Sequence, residues 1–212
     1  MSSQRRGEQD KSLKGGITHN NNNLIKGGNR TVGVVHSHGM FGGNRKPAEH
    51  NKDELDRLFE GLKEVRSNPM VLEDYFEALN LGVSESPCPH YVCPKSGRSI
   101  LLHEGRRAVL EAQEFIKSVE VSQQMLSHIE RDPLLDQLAN AAAQELGQEG
   151  VVSHSPGGKA LKQRIEEVGT WSGVLAENLC VLDADPASIL ATWIIDDGNT
   201  TRNQRKSIFL PE

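Results

Sequence analysis

Apolar residues recur every three or four positions through most of the chain beyond residue 50, which is the spacing of helices with one buried face. The predicted helices cover residues 53–68, 71–79, 103–119 and 132–147, an amphipathic segment 161–168 and a last helix from 185 to 195. Asp132-Pro133 and Asp185-Pro186 mark two helix starts, because aspartate caps a helix and proline suits the first helical position. The pattern predicts a mostly helical core.

Two segments interrupt the helical spacing. Val174 to Leu182 is apolar and is the strand candidate, although Glu177-Asn178 lies inside it. Ser84 to Pro94 contains three prolines, which lack a backbone donor, and is predicted to be a loop.

The proline-rich loop carries residues that other proteins use to bind zinc. Cys88 and Cys93 flank His90, and His103 follows nearby, which is a loose version of zinc-ligand spacing. A local disulfide, or two thiols in a loop, explains the same residues. Cys180 is the third cysteine, so at most one internal disulfide is expected and no oxidising compartment is required.

The first 50 residues have a different composition. They are rich in glycine, asparagine, serine and arginine, and contain few side chains that can fill a core, so we expect a disordered tail. His36 and His38 lie in its one apolar island and suggest a short motif, an adventitious metal site or plain solvated linker. Residues 51–212 are predicted to form one domain.

Charge and hydrophobicity exclude two classes of function. The net charge is −5, divided into +5 over residues 1–50 and −10 over the remainder, so the domain lacks the basic face that nucleic-acid binding requires. The apolar runs are far shorter than the roughly 20 residues of a membrane-spanning helix, and the N-terminus lacks the apolar stretch of a signal peptide. We expect neither a nucleic-acid partner nor a transmembrane segment.

Candidate chemistry is concentrated in the last sixty residues. His154 follows a predicted helix, Glu177 lies in the strand candidate, and Asp196-Asp197 ends the last helix, where the helix dipole disfavours anions. Such elements can converge on one cleft, with His154 as a general base oriented by Glu177 or Asp196. No nucleophile motif accompanies them, and a structural role, in which His154 and Glu177 only hold a loop, also explains them.

The same region resembles the CAP superfamily (cysteine-rich secretory proteins, antigen 5 and pathogenesis-related 1), also called the SCP domain. The similarity is strongest to its bacterial and protist branch and extends weakly back to residue 53. The segments that carry it are the alanine-rich helix Leu138–Leu146, Ser153-His154-Ser155-Pro156, the run from Arg164 to Gly173, Ala176-Glu177-Asn178-Leu179, Ile194-Ile195-Asp196-Asp197-Gly198 and the run from Arg202 to Pro211.

The resemblance implies an α+β fold, a CAP-type α-β-α sandwich. The chain stops at Glu212, where family members continue into the hairpin strands that complete the central sheet. We therefore expect a domain over 51–212 that is incomplete at its C-terminus and mostly helical.

The resemblance also implies a cleft in which two histidines and two acids hold a divalent metal. Here it comprises His154, Glu177, Asp196 and, where the family has its second histidine, Gln204. An amide is a poor zinc ligand, so His154, Glu177 and Asp196 are the three candidate ligands for an ion such as zinc. No cofactor is required and no residue is assigned a catalytic role.

The expected function is that of a non-catalytic CAP/SCP domain whose cleft binds a metal, a lipid or sterol, or a protein partner. A hydrolase that uses His154 with Glu177 or Asp196 is one alternative, and a degenerate fragment without function is another. Family members are mostly secreted, whereas this N-terminus lacks an apolar signal, so an extracellular and a cytoplasmic location both stay open.

Overall fold

The computed structural model describes residues 52–84, 89–92, 99–119, 129–180 and 185–210. These ranges contain two short 3-10 turns, Pro69–Leu72 and Pro156–Gly158, and one two-stranded antiparallel ladder in which His90 pairs with Leu101. The α-helices and strands are α1 (Lys52–Ser67), α2 (Glu73–Gly82), β1 (His90–Val92), β2 (Ser99–Leu101), α3 (Arg106–Ser118), α4 (Pro133–Glu149), α5 (Leu161–Glu166), α6 (Pro186–Ile195) and α7 (Asn203–Phe209). The described part is mostly helical, as the spacing of apolar residues predicts.

Helix α6 is the centre of the hydrophobic core. From Ser188 to Ile195 every residue except Thr192 is buried, and α6 packs against α1, α2, α3 and α7. A helix enclosed on nearly all sides must be apolar on nearly all sides. Helix α1 approaches it closely at Gly61, where an added Cβ would lie 3.0 Å from Cδ1 of Leu190.

Helix α4 forms a smaller second cluster, in which alanines allow close packing. Ala139, Ala143 and Leu146 are buried there together with Leu179. The next residue, Cys180, belongs instead to the main core, and burial raises the pKa of its thiol to about 12. Leu179 and Cys180 therefore join the two clusters.

The predicted caps of α4 and α6 are present. The Asp132 side chain accepts hydrogen bonds from the backbone N–H groups of Leu134 and Leu135, and Pro133 is the first residue of α4. Asp185 accepts from the Ser188 N–H at the start of α6. These bonds satisfy N–H groups that a helix leaves without an intrahelical partner.

The strand predicted from Val174 to Leu182 was wrong over residues 174–180, which form no ladder. Side chains replace a neighbouring strand here: the Leu179 N–H donates to Oε1 of Gln204 at 2.9 Å, and the Leu179 carbonyl accepts from the Trp193 indole at 3.1 Å. Residues 181 and 182 lie outside the described ranges.

The proline-rich segment was predicted to be a loop, but part of it forms a strand. His90–Val92 forms β1 and pairs with β2, and the Ser84 N–H donates to the His90 carbonyl at 3.0 Å. The strand lies between Pro89 and Pro94, so no proline interrupts the ladder. Helix α7 was not predicted at all, since seven residues are too few for a clear helical pattern.

Several predictions fall on residues outside the described ranges. They are the disorder of residues 1–50 and the possible metal ligands His36, His38, Cys88 and Cys93. Within the described ranges the β1–β2 ladder is the single sheet, so the central sheet of an α-β-α sandwich stays a prediction. None of the described helices combines the length and the apolar composition needed to cross a bilayer.

Candidate ligand-binding cleft

One cleft, with a volume of about 970 Å³, contains all four of the predicted cleft residues. His154 lies on its loop after α4, Glu177 on the extended segment 174–180, Asp196 at the end of α6 and Gln204 on α7. A second cavity of about 1010 Å³ lies beside α1 and the start of α6, and none of the predicted site residues lines it.

His154 and Glu177 meet although they are 23 residues apart in sequence. Nδ1 of His154 lies 2.9 Å from Oε2 of Glu177, and the other carboxylate oxygen accepts a hydrogen bond of 2.6 Å from Arg164 on α5. The side chains of Arg164 and Glu177 are 8% and 7% exposed, whereas that of His154 is 61% exposed. A buried ion pair therefore holds an imidazole at the cleft surface.

The charges of this group stabilise one another. The hydrogen bond with Glu177 raises the pKa of His154, against the smaller effect of burial. Burial opposes ionisation of Glu177, but the hydrogen bonds from His154 and Arg164 outweigh it and lower the pKa of that carboxyl. His154 is thus favoured in its protonated form, with its second ring nitrogen free of Glu177.

Asp196 is buried and surrounded by donors. It ends α6 in a left-handed conformation with φ of 50°, and its side chain accepts hydrogen bonds from the Gln204 N–H at 2.9 Å, from the Gln204 amide at 3.1 Å and from the Asn199 amide at 3.2 Å. Both carboxylate oxygens are engaged. The unfavourable position at a helix C-terminus is offset by these donors.

Gln204 connects two walls of the cleft. Its Nε2 donates to Asp196, and its Oε1 accepts from the backbone N–H of Leu179. The backbone carbonyl of Gln204 accepts a hydrogen bond from the Asn178 side-chain amide at 3.2 Å. One side chain therefore ties the end of α6 to the segment that carries Glu177.

Asp197 has a different role from its neighbour. Its carboxylate accepts from the backbone N–H groups of His103 and Glu104 at 2.6 and 2.9 Å, just before α3. The His103 ring lies against Gly198 and lines the cleft. The paired aspartates at the end of α6 are thus both engaged in holding loops together.

Two arginines fix the junction of α6 and α7. Arg202, with φ of 51°, donates to both oxygens of Glu104, to both oxygens of Glu111 and to the Asp196 carbonyl. Arg205 donates to Glu111 at 2.8 Å and to the carbonyls of the last turn of α6. Hydrogen bonds from Arg202, and secondarily from Arg205, lower the pKa of Glu111 to about 2 against the effect of burial.

The residues of this cleft do not fit a divalent metal. A carboxylate offers about four acceptor positions, and the donors around Asp196 occupy them. Glu177 gives one oxygen to His154 and the other to Arg164, whose positive charge repels a cation. Among the residues that the structure describes, no group of three His, Cys, Asp or Glu side chains is placed to hold an ion.

Sequence reasoning missed the partners of the cleft residues. Asn199 beside Asp196 carries no motif. Arg164 beside Glu177 lies in the run 164–173 that resembles the family, but the resemblance gives it no role in the cleft. Of the two described histidines in the proposed zinc loop, His103 lines the cleft and His90 lies 3.1 Å from the Ser84 hydroxyl.

Comparison of the chain with protein-family models, with curated proteins and with solved structures gives no match. The case for a class of protein therefore rests on the motifs and on the cleft.

Proposed function

We propose that the chain is a non-catalytic binding domain of the CAP/SCP type, and that its cleft takes a small polar ligand or a polar peptide segment. The observation that carries the proposal is the pair formed by His154 and Glu177. Both residues come from motifs that resemble the family's cleft, and Nδ1 of His154 lies 2.9 Å from Oε2 of Glu177 in a cleft that also contains Asp196 and Gln204. The family's α-β-α sandwich over residues 51–212 belongs to the same proposal.

The polar lining favours a polar ligand. His154 exposes its ring, and His103, Asn203 and Ser155 also face the cleft. Clefts that bind small molecules combine apolar walls with a few polar groups that set orientation. Here Leu161 is among the apolar lining residues, so a lipid or sterol, which the resemblance implies, is the second class of ligand to test.

The surroundings of His154 are the reason for proposing a domain without catalytic activity. A general base needs a nucleophile or a water within hydrogen-bond reach. In the described ranges the His154 ring is bonded to Glu177, and no hydroxyl or thiol is bonded to it. Among these residues, the hydrolase alternative therefore lacks a side-chain nucleophile bonded to His154.

Ligand-observed NMR tests the proposal. The full chain is screened against small polar fragments that include esters, and separately against cholesterol sulfate, with His154→Ala as the test variant. Lys162→Ala is the matched control, because Lys162 is an exposed residue of α5. Its Nζ lies 3.7 Å from Oε1 of Glu166, and neither residue lines the cleft. We expect fragment binding that His154→Ala abolishes and Lys162→Ala keeps.

The other outcomes separate the alternatives. Binding of the sterol alone favours the lipid function, and ester hydrolysis lost in His154→Ala favours the hydrolase. A chain that folds but binds nothing in either screen contradicts the proposal and supports the degenerate fragment.

A further inference from the structure

Two side chains donate to the carboxylates of the cleft and so use acceptor positions that a cation would need. Arg164 places a buried guanidinium 2.6 Å from Glu177, and Gln204 places its amide 3.1 Å from Asp196. A divalent ion compensates buried carboxylates and links the segments that carry them. Both tasks are performed here by the chain itself.

We propose that Arg164 and Gln204 replace a metal in this cleft, with Arg164 supplying the positive charge and Gln204 the cross-link. Gln204 is a positioning residue in this proposal: it holds Leu179, and with it the segment that carries Glu177, against Asp196. The inference deepens the proposed function and rests on it for the identity of the cleft, whereas the cross-link rests on the contacts of Gln204 alone.

The contacts of Gln204 make the cross-link specific. Its two amide atoms face opposite partners, since Nε2 donates to a buried carboxylate and Oε1 accepts from the Leu179 N–H at 2.9 Å. The Leu179 carbonyl is held in turn by the Trp193 indole of α6. A terminal amide offers a donor and an acceptor at every pH, which a glutamate of the same length does not.

The charge balance around Glu177 also supports the replacement of a metal by Arg164. Arg164 and Glu177 neutralise each other in a site where both side chains are less than one-tenth exposed. The His154 ring lies 2.9 Å from Glu177, which raises its pKa and so favours a further positive charge there. A divalent ion placed between His154 and Glu177 would have to displace the imidazole proton and lie near a fixed guanidinium.

Zinc titration by calorimetry tests the first half of the proposal. The wild-type chain and His154→Ala are titrated with zinc, because a difference between them isolates the cleft from residues outside the described ranges, such as Cys88 and Cys93. We expect the two titrations to be identical. A one-to-one binding heat in the wild type that His154→Ala abolishes would overturn the proposal, even if the cleft binds an organic ligand.

Amide hydrogen exchange tests the cross-link. Gln204→Met keeps the length of the side chain and removes both hydrogen bonds, so exchange of the Leu179 N–H is expected to become about tenfold faster, with a melting temperature lowered by about 5 °C. Asn203→Ala, the exposed neighbour that lines the same cleft, is the matched control and leaves both unchanged. Unaltered exchange at Leu179 in Gln204→Met removes the positioning role. This result does not depend on whether a ligand is found.

Discussion

Glu111 of α3 accepts hydrogen bonds from both arginines at the α6–α7 junction. One oxygen accepts from Nε of Arg202 at 3.1 Å and from Nη1 of Arg205 at 2.8 Å, and the other accepts from Nη2 of Arg202 at 2.7 Å. We predict that Glu111→Gln, which keeps the shape of the side chain and removes its charge, destabilises the folded protein.

The magnitude follows from the pKa of the carboxyl group. Lowering it from 4.5 to about 2 corresponds to about 3 kcal/mol, at about 1.4 kcal/mol per pH unit. Because the Glu111 side chain is 40% exposed, solvent screens the charge, and we expect a loss of about 1–2 kcal/mol at neutral pH. For a domain of this size the melting temperature falls by about 3–6 °C.

The pH dependence distinguishes a lost charge from a lost contact. A carboxyl group whose pKa is lower in the folded state contributes its full stability above its ordinary value of 4.5 and loses it as the pH falls toward about 2. The difference between wild type and Glu111→Gln in urea unfolding should therefore shrink between about pH 7 and about pH 3.

Glu114→Gln is the control, since Glu114 is an exposed residue of the same helix. We expect it to change stability by less than about 0.5 kcal/mol. A loss in Glu111→Gln that is independent of pH, or equal to that of Glu114→Gln, refutes the account of the arginine network.

Three further predictions concern other contacts. Arg164→Met leaves Glu177 buried with His154 as its remaining charged partner, so we expect the free energy of unfolding in urea to fall by about 3 kcal/mol. Adding Glu177→Gln should recover part of this loss. If the effects of the two substitutions simply add, the pair does not contribute as described. His154→Ala should destabilise more at about pH 5.5 than at about pH 9, because a raised pKa gives stability that is complete below the ordinary value and disappears as the pH rises through the folded one; equal urea midpoints at both pH values contradict this. Asp132→Ala removes the cap of α4 and should cost about 1 kcal/mol, whereas an unchanged melting temperature would show that the cap contributes nothing.

The helices could be predicted because their signals are local. The stripe of Leu58, Leu62 and Val65 in α1 and the caps at Asp132 and Asp185 depend only on residues within a few turns, and all of these side chains lie where the spacing places them. Periodicity reports which face is buried, and a buried face is what most of these helices have.

The extended segment could not be predicted, because its partners are distant in sequence. The Leu179 backbone is held by Gln204 and Trp193, and neither contact leaves a mark on the spacing of apolar residues. The segment has the composition of a strand but obtains its hydrogen bonds from side chains. Composition alone does not distinguish these two solutions.

The candidate site was predictable in its members but not in its chemistry. The motifs name His154, Glu177, Asp196 and Gln204, and the structure places these four in one cleft. Arg164 lies in one of the segments that resemble the family, but the resemblance gives it no place in the cleft, where its charge changes the balance of the site. Whether a carboxylate is open to a ligand depends on its neighbours in space. For Glu177 the neighbour is Arg164 of α5, and for Asp196 it is Gln204 of α7, which packs against α6.

The Cys180 thiol, with its pKa raised to about 12, has a kinetic consequence. Only the thiolate reacts with alkylating reagents, so the raised pKa and the burial of the side chain together make Cys180 resist modification in the folded protein. A chain with Cys88→Ser and Cys93→Ser keeps this one thiol, beside Leu179, at the joint between the two hydrophobic clusters. The rate at which this thiol is alkylated therefore measures how often the contact between the two clusters opens in solution.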